Sequence, residues 1–312
     1  MLETPSRIAA VAGAISLAVA ALYGQVDTGA VFRADTRLVV CHTTVVDKDG
    51  HLVTSLPEHA FTVLENGIKQ QIKVFKHEDI AVSLGLVIDN SGSMRTKRAR
   101  VEAASLALVK ESNPDDEVFI VNFNDTAYLD NPKGREFTSD IQEMEEALKR
   151  IDARGGTAMR DAIQMSIEHL RKARKDKKVL VVVTDGNDNA SLISLEALVR
   201  SARQSDVLVY SVGLLGDEER HEAGRARRAL ESLAEATGGA SFFPNEVTAV
   251  DHIARQVAHD IRSQYTIEYT PSNAAMDGSF RQIKIAVNAP GHPVVRTRNG
   301  YYATPDQAGS RK

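Results

Sequence analysis

"KVLVVVTD", residues 178–185, is apolar at every position from Val179 to Val183 and ends on a threonine and an acid. A strand with one face in water alternates apolar and polar side chains, so an unbroken apolar run belongs to a parallel strand covered by helices on both faces. The neighbouring sequence fits. Strand-like runs "AVSLGLVID" (81–89), "DEVFIVNF" (116–123), "DVLVYSVGL" (206–214) and the short "ASFF" (240–243) alternate with helical segments near 96–111, 139–151, 158–175, 192–204, 219–236 and 246–262. Strands and helices in alternation predict an α/β domain with a doubly wound, mostly parallel, Rossmann-like sheet over residues 80–262.

Outside those limits the helical pattern stops. Residues 36–79 read as four strands drawn from "TRLVVCHTTVV" (36–46), "HLVTSL" (51–56) and "FTVLENGIKQQIKVFK" (61–76), the last bent into a hairpin at Asn66-Gly67. Residues 263–304 give three more: "QYTIEYTP" (264–271), "SFRQIKIAVNA" (279–289) and "VVRTRNGYYAT" (294–304). Sheets this small are marginal alone. The two sets are therefore expected to pair as halves of one immunoglobulin-like β-sandwich of seven strands, with the α/β domain inserted between them. Residues 305–312 form a polar tail.

At the other end, Ile8–Val26 carries no charge and follows Arg7. Residues 1–30 thus read as a signal peptide or an N-terminal membrane anchor. Either reading places the rest of the chain outside the cytoplasm, secreted, periplasmic or in the cell envelope. The composition is that of a globular protein, with 43% apolar and 26% charged residues, and a net charge of -4 argues against nucleic acid as a partner. The single cysteine, Cys41, excludes an intrachain disulfide and a cysteine-rich metal site; its strand pattern predicts a small buried hydrophobe. The basic run "RKARKDKK" (171–178) ends a helix and begins a strand and reads as a solvated helix end, as do the arginines at 225–228, while His252 and His259, seven apart on one helix face, read as surface or packing residues.

Ligands of a doubly wound sheet bind where the carboxyl ends of its strands meet. The first strand delivers Asp89, Ser91 and Ser93 in "DNSGSM"; "KVLVVVTD" delivers Thr184 and Asp185, with Asp188 shortly after; "RGGTAMRDA" delivers Thr157 behind Gly155-Gly156. In an extended loop, alternate spacing turns Asp89, Ser91 and Ser93 to one side. Of these, Asp89 and Asp185 with Ser91, Ser93 and Thr157 make an all-oxygen set of two carboxylates and three hydroxyls, suited to Mg2+, Mn2+ or Ca2+ rather than zinc or copper. A competing reading makes Ser91 and Ser93 helix caps. A serine hydrolase lacks its G-x-S-x-G and a histidine at a strand end, and neither a P-loop nor H-E-x-x-H is present.

"DNSGSM", "GGTAMRDA" and "VVVTDGNDN", in that order, resemble the von Willebrand factor type A domain with its metal-ion-dependent adhesion site. The flanking "FTVLENG" and "YTIEYTP … GYY" resemble exported bacterial proteins with such a domain set in a β-sandwich. The resemblance implies a divalent ion held by Ser91, Ser93 and Thr157, with Asp89 and Asp185 bound directly or through water. It also implies that a Glu or Asp carboxylate of a protein partner completes the coordination. The function expected is adhesion or envelope protein–protein binding, not catalysis. The alternatives are a scaffold domain stiffened by its metal and a metal-dependent hydrolase.

Overall fold

Valines and threonines dominate the first described strand. The computed structural model describes residues 38–304 apart from 112, 133, 150–152, 187 and 216–219, so the expected signal or anchor in 1–30 and the tail 305–312 lie outside the described residues. β1 is Val39–Val46, β2 Phe61–Glu65, β3 Ile68–Gln70 and β4 Ile72–Lys76. Asn66 (φ 49°) and Gly67 (φ 82°) make the tight β2–β3 turn, both in the left-handed region that Asn-Gly tolerates. "HLVTSL", expected as a strand, is not one. Only Leu52 bridges to Val46, because the Tyr265 hydroxyl donates to Val53 O and accepts from Leu56 N, each at 2.9 Å, and so takes up backbone groups a ladder would need. Residues 68–76, expected as one strand, break at Gln71, and the two pieces enter different sheets.

The α/β part follows. Its elements are β5 (Val82–Asp89), α1 (Arg98–Lys110), β6 (Glu117–Phe123), β7 (Ala127–Leu129), α2 (Ile141–Lys149), α3 (Met159–His169), β8 (Lys177–Thr184), α4 (Leu195–Gln204), β9 (Val207–Gly213), α5 (Arg220–Thr237), β10 (Ser241–Phe242) and α6 (Val250–Arg262). The sheet order is β10-β9-β8-β5-β6-β7, parallel except for the β6–β7 hairpin at one edge. Each central strand splits its side chains between two cores. Leu84, Leu86, Val181 and Tyr210 face α1, α2 and α6 through Val101, Leu108, Met144 and Val257; Val87, Leu180, Val182 and Val209 face α3, α4 and α5 through Ile163, Leu198 and Leu230. That double burial is why β8 has no polar position between its ends. The chain winds outward from β5 in one direction and from β8 in the other, so the β5–β8 boundary is the switch point of the sheet.

The C-terminal strands are β11 (Tyr265–Tyr269), β12 (Phe280–Val287), β13 (Val294–Arg296) and β14 (Gly300–Tyr302). They join the N-terminal ones in two four-stranded antiparallel sheets, β13-β1-β11-β4 and β14-β12-β2-β3. The described strands number eight rather than seven, since 294–304 also divides between sheets; Arg298, in the gap, turns away to bond Asp206 Oδ1 at 2.6 Å. Cys41, Val45 and Ile267 of one sheet pack against Phe61, Val63 and Ile285 of the other. Burial pushes the Cys41 thiol up to about 12, so it is the inert hydrophobe its pattern predicts. Inside this core Glu65 accepts from the Tyr269 hydroxyl at 2.8 Å and the Tyr301 hydroxyl at 2.9 Å.

Sandwich and α/β part meet through charge as well as packing. Arg296 on β13 bonds the buried Asp260 of α6, Gln264 bonds Thr44 at 2.9 Å, and Arg200 lies 4.7 Å over the Tyr302 ring. Among the described residues no helix is long and apolar enough to cross a membrane.

Candidate metal centre

The centre is assembled at the switch point by three loops that bond one another. Asn90 N–H donates to Phe123 O (2.7 Å), Gly92 N–H to Gly155 O (3.2 Å), and Asn189 N–H to Thr157 O (3.1 Å), so the loops after β5, before α3 and after β8 form one surface.

Asp89, at the end of β5, is 1% exposed. Its Oδ1 accepts the Ser91 amide at 2.8 Å and its Oδ2 the Thr184 hydroxyl at 2.6 Å. Burial pushes its pKa up to about 6 against those bonds, which pull it down, and the charge of Asp185 adds to the rise. Ser91 is extended (φ -63°, ψ 165°), but the chain then enters a 3-10 turn over Gly92–Thr96 instead of the expected extended loop. The turn still brings the Ser91 and Ser93 hydroxyl oxygens to 3.1 Å, and Ser93 Oγ donates to Asp185 Oδ1 at 2.8 Å. Ser91 sits at the N-cap of that turn and makes no side-chain cap bond, nor does α1 begin on a capping serine. Capping therefore does not explain the serines.

Thr157 is 4% exposed and its amide donates to Asn189 Oδ1 at 2.8 Å. Its hydroxyl lies 3.7 Å from where a Cβ on Gly186 would stand, against the residue that follows Asp185. Gly155 makes this approach possible: φ is +76°, and a Cβ there would come within 2.2 Å of Asp125 Oδ2. Asp125 in turn accepts the Gly156 amide at 2.7 Å. Asp188 has a framework task, accepting the Arg160 amide at 2.7 Å and the Ser191 hydroxyl at 2.7 Å. Asp161 accepts the amides of Leu192 and Ile193 at 2.9 and 3.0 Å.

The expected residues thus occupy two layers. Ser91, Ser93 and Asp185 form a continuous hydroxyl–carboxylate chain with Thr157 beside Gly186, and Asp89 lies beneath with both oxygens engaged. Sequence reading passed over Thr184 as a donor to Asp89, and Lys97, whose Nζ donates to Asp185 Oδ2 at 2.6 Å. Lys97 carries no local signal, because it reaches an acid 88 residues away. Chemically the arrangement is poor for nucleophilic attack: Ser91 Oγ meets another hydroxyl, and Asp89 already accepts two hydrogen bonds. Its donors to a hard cation would all be oxygens, with the charge of Asp89 disfavoured by burial, while Lys97 already holds one oxygen of Asp185 and opposes a second cation there.

Residues 84–187 match the family model described as von Willebrand factor type A domain. The uncharacterized protein sll0103 of Synechocystis sp. is 27% identical over 187 residues, covering 57% of this chain and 41% of that protein. Calcium-activated chloride channel regulator 3A-1 of Mus musculus is 28% identical over 167 residues, 52% of this chain and 17% of that one. The chain therefore spans less than half the length of either relative. Among solved structures, a von Willebrand factor type A protein from Catenulispora acidiphila shares the fold with a TM-score of 0.51 at 14% identity, covering 90% of this chain and 78% of its own.

Proposed function

Taking as premise a chain that carries a von Willebrand factor type A domain, we propose that it is an exported, non-enzymatic binding module whose divalent-cation centre captures an acidic side chain of a protein partner, in adhesion or in the cell envelope. The observation that carries this reading is the Ser91–Ser93–Asp185 chain of oxygens at the sheet's switch point, above the buried Asp89. Ser91, Ser93 and Thr157 would hold Mg2+, with Mn2+ or Ca2+ as the other candidates, and Asp185 would face it directly or through water. Asp89 would supply charge from below and, through the Ser91 amide, fix the loop that presents the serines. Once bound, the ion supplies a Lewis-acid position for an incoming carboxylate. Export rests on the uncharged run Ile8–Val26, and the negative net charge supports a protein partner over nucleic acid.

Calorimetric titration of the folded protein with Mg2+ and Mn2+ tests the centre. Heat is expected from the parent protein and is lost in Asp89→Ala and Asp185→Ala, whose far-ultraviolet circular dichroism stays that of the parent. Folded protein that gives no heat with either ion, both as the parent and with the ammonium removed in Lys97→Met, refutes the reading. Capture of a partner from envelope extract is expected in Mg2+ and not in chelator. Capture that survives both chelator and Asp89→Ala would move the contacts to the sandwich and leave the centre a scaffold element.

A further inference from the structure

Lys97 stands where a ligand scheme of serines, threonine and acids has no use for it. It follows the 3-10 turn that carries Ser93 and occupies the N-cap position of α1. Its Nζ lies 2.6 Å from Asp185 Oδ2 and 3.5 Å from Leu214 O, at the carboxyl ends of β8 and β9. Asp185 is therefore divided: Oδ1 faces Ser93 and the proposed ion position, and Oδ2 faces an ammonium. The Asp185 side chain has no exposed surface, while that of Lys97 is 25% exposed. A cation is thus fastened to one oxygen of a buried acid. Across the centre, Asp89 and Asp185 bring two formal negative charges and Lys97 cancels one of them.

We propose that Lys97 is a built-in counter-ion that lowers the divalent-ion affinity of the free protein and leaves the loaded centre one positive charge in surplus, so that ion and acidic ligand bind cooperatively. The proposal rests on the reading of the centre as a divalent-cation site. A divalent ion and an ammonium sharing one carboxylate repel each other, and at a partly buried site that repulsion is screened far less than in water. If the ammonium swings out to solvent instead, which its flexible stem allows, Asp185 loses its ion pair. Both routes subtract from ion affinity. An incoming carboxylate supplies the charge that balances ion, ammonium and the two acids, so each ligand raises the affinity for the other by the same factor.

Titration calorimetry on the full chain tests this with Mg2+ and Mn2+, in chloride and in acetate, the acetate standing as probe carboxylate. Lys97→Met is expected to bind the ions about tenfold more tightly than the parent in chloride. Lys97→Arg, which keeps the charge, should bind as the parent does, and acetate should raise ion affinity more in the parent than in Lys97→Met. Ion binding by Lys97→Met alone, with none by the parent, is the same result in extreme form. Equal or weaker binding by Lys97→Met overturns the proposal and makes Lys97 a strut; because damage to the centre also weakens binding, only a true counter-ion yields the gain. If neither protein binds either ion, the cation-site reading itself has failed and the proposal falls with it. Binding with the same constant by both fails Lys97 alone.

Discussion

Replacing Lys177 with methionine tests how the amino end of the parallel sheet is held. Lys177 opens β8, is 3% exposed, and donates to the carbonyl of Ile261 near the end of α6. Asp79, Asp116 and Asp260 are the charged groups that face it and favour its ammonium form, yet burial outweighs them and pulls its pKa from 10.5 to about 7. The unfolded chain restores the ordinary value. Between the two values the unfolded chain binds a proton that the folded one has released, so stability rises with pH across that window. The contribution is complete above the unfolded pKa and is lost as pH falls through the folded one. Integrated from about pH 7 to about pH 9, the linkage gives roughly 2 kcal/mol. Urea unfolding of parent and Lys177→Met in chelator, at steps across that range, should therefore show the parent gaining about 2 kcal/mol on the variant as pH rises. The offset at any one pH also contains the lost hydrogen bond to Ile261 and the gain from a buried methyl; the slope does not. A parent-minus-variant difference that stays flat within about 0.5 kcal/mol over the window refutes neutralisation of Lys177 there.

Two further outcomes follow from the same geometry. Arg296→Ala removes the guanidinium from Asp260, whose side chain is 2% exposed and whose pKa burial already raises, and should destabilise by about 3 kcal/mol in urea; a loss under about 1 kcal/mol would mean that the sandwich does not anchor α6 through this pair. Gly155→Ala forces a Cβ onto Asp125 at positive φ and should lower stability by about 1–2 kcal/mol, and calorimetry should show weaker ion binding because the loop presenting Thr157 is displaced.

How much of this was legible in the sequence differs by element. The four long strands of the α/β sheet are recovered within about a residue, because burial on two faces leaves continuous apolar runs, and its helices fall where expected, with α3 ending at His169 rather than at 175. The β6–β7 hairpin was missed, its Ala127–Leu129 strand being too short to show a period. In the sandwich, alternation identifies strands but not the point where a strand changes sheets. Gln71 interrupts the ladder within "IKQQIKVFK" without any glycine or proline to mark it, and Arg298 divides 294–304 by bonding an acid 92 residues earlier in the chain. Of the proposed centre, the local grouping of Asp89, Ser91 and Ser93 was legible. What lay hidden were partners joined only by the fold: Thr184 beneath Asp89, Asp125 under Gly155, and Lys97 on Asp185. The extended geometry expected of the serines was wrong because Gly92 starts a 3-10 turn, and the oxygens converge through that turn.

The pairing of β4 with β11 has a mechanical meaning. Lys76 lies opposite Thr266 and Ile72 opposite Tyr269, so the chain enters and leaves the α/β part along two neighbouring strands. Everything between them is a loop whose ends are zipped together. A pull between the first and last described strands loads the ladders β1–β13, β1–β11, β4–β11, β2–β12 and β12–β14, and stretches the α/β part along its own chain only after β4 has been torn from β11. The α/β part can in this way remain slack while the sandwich is under tension.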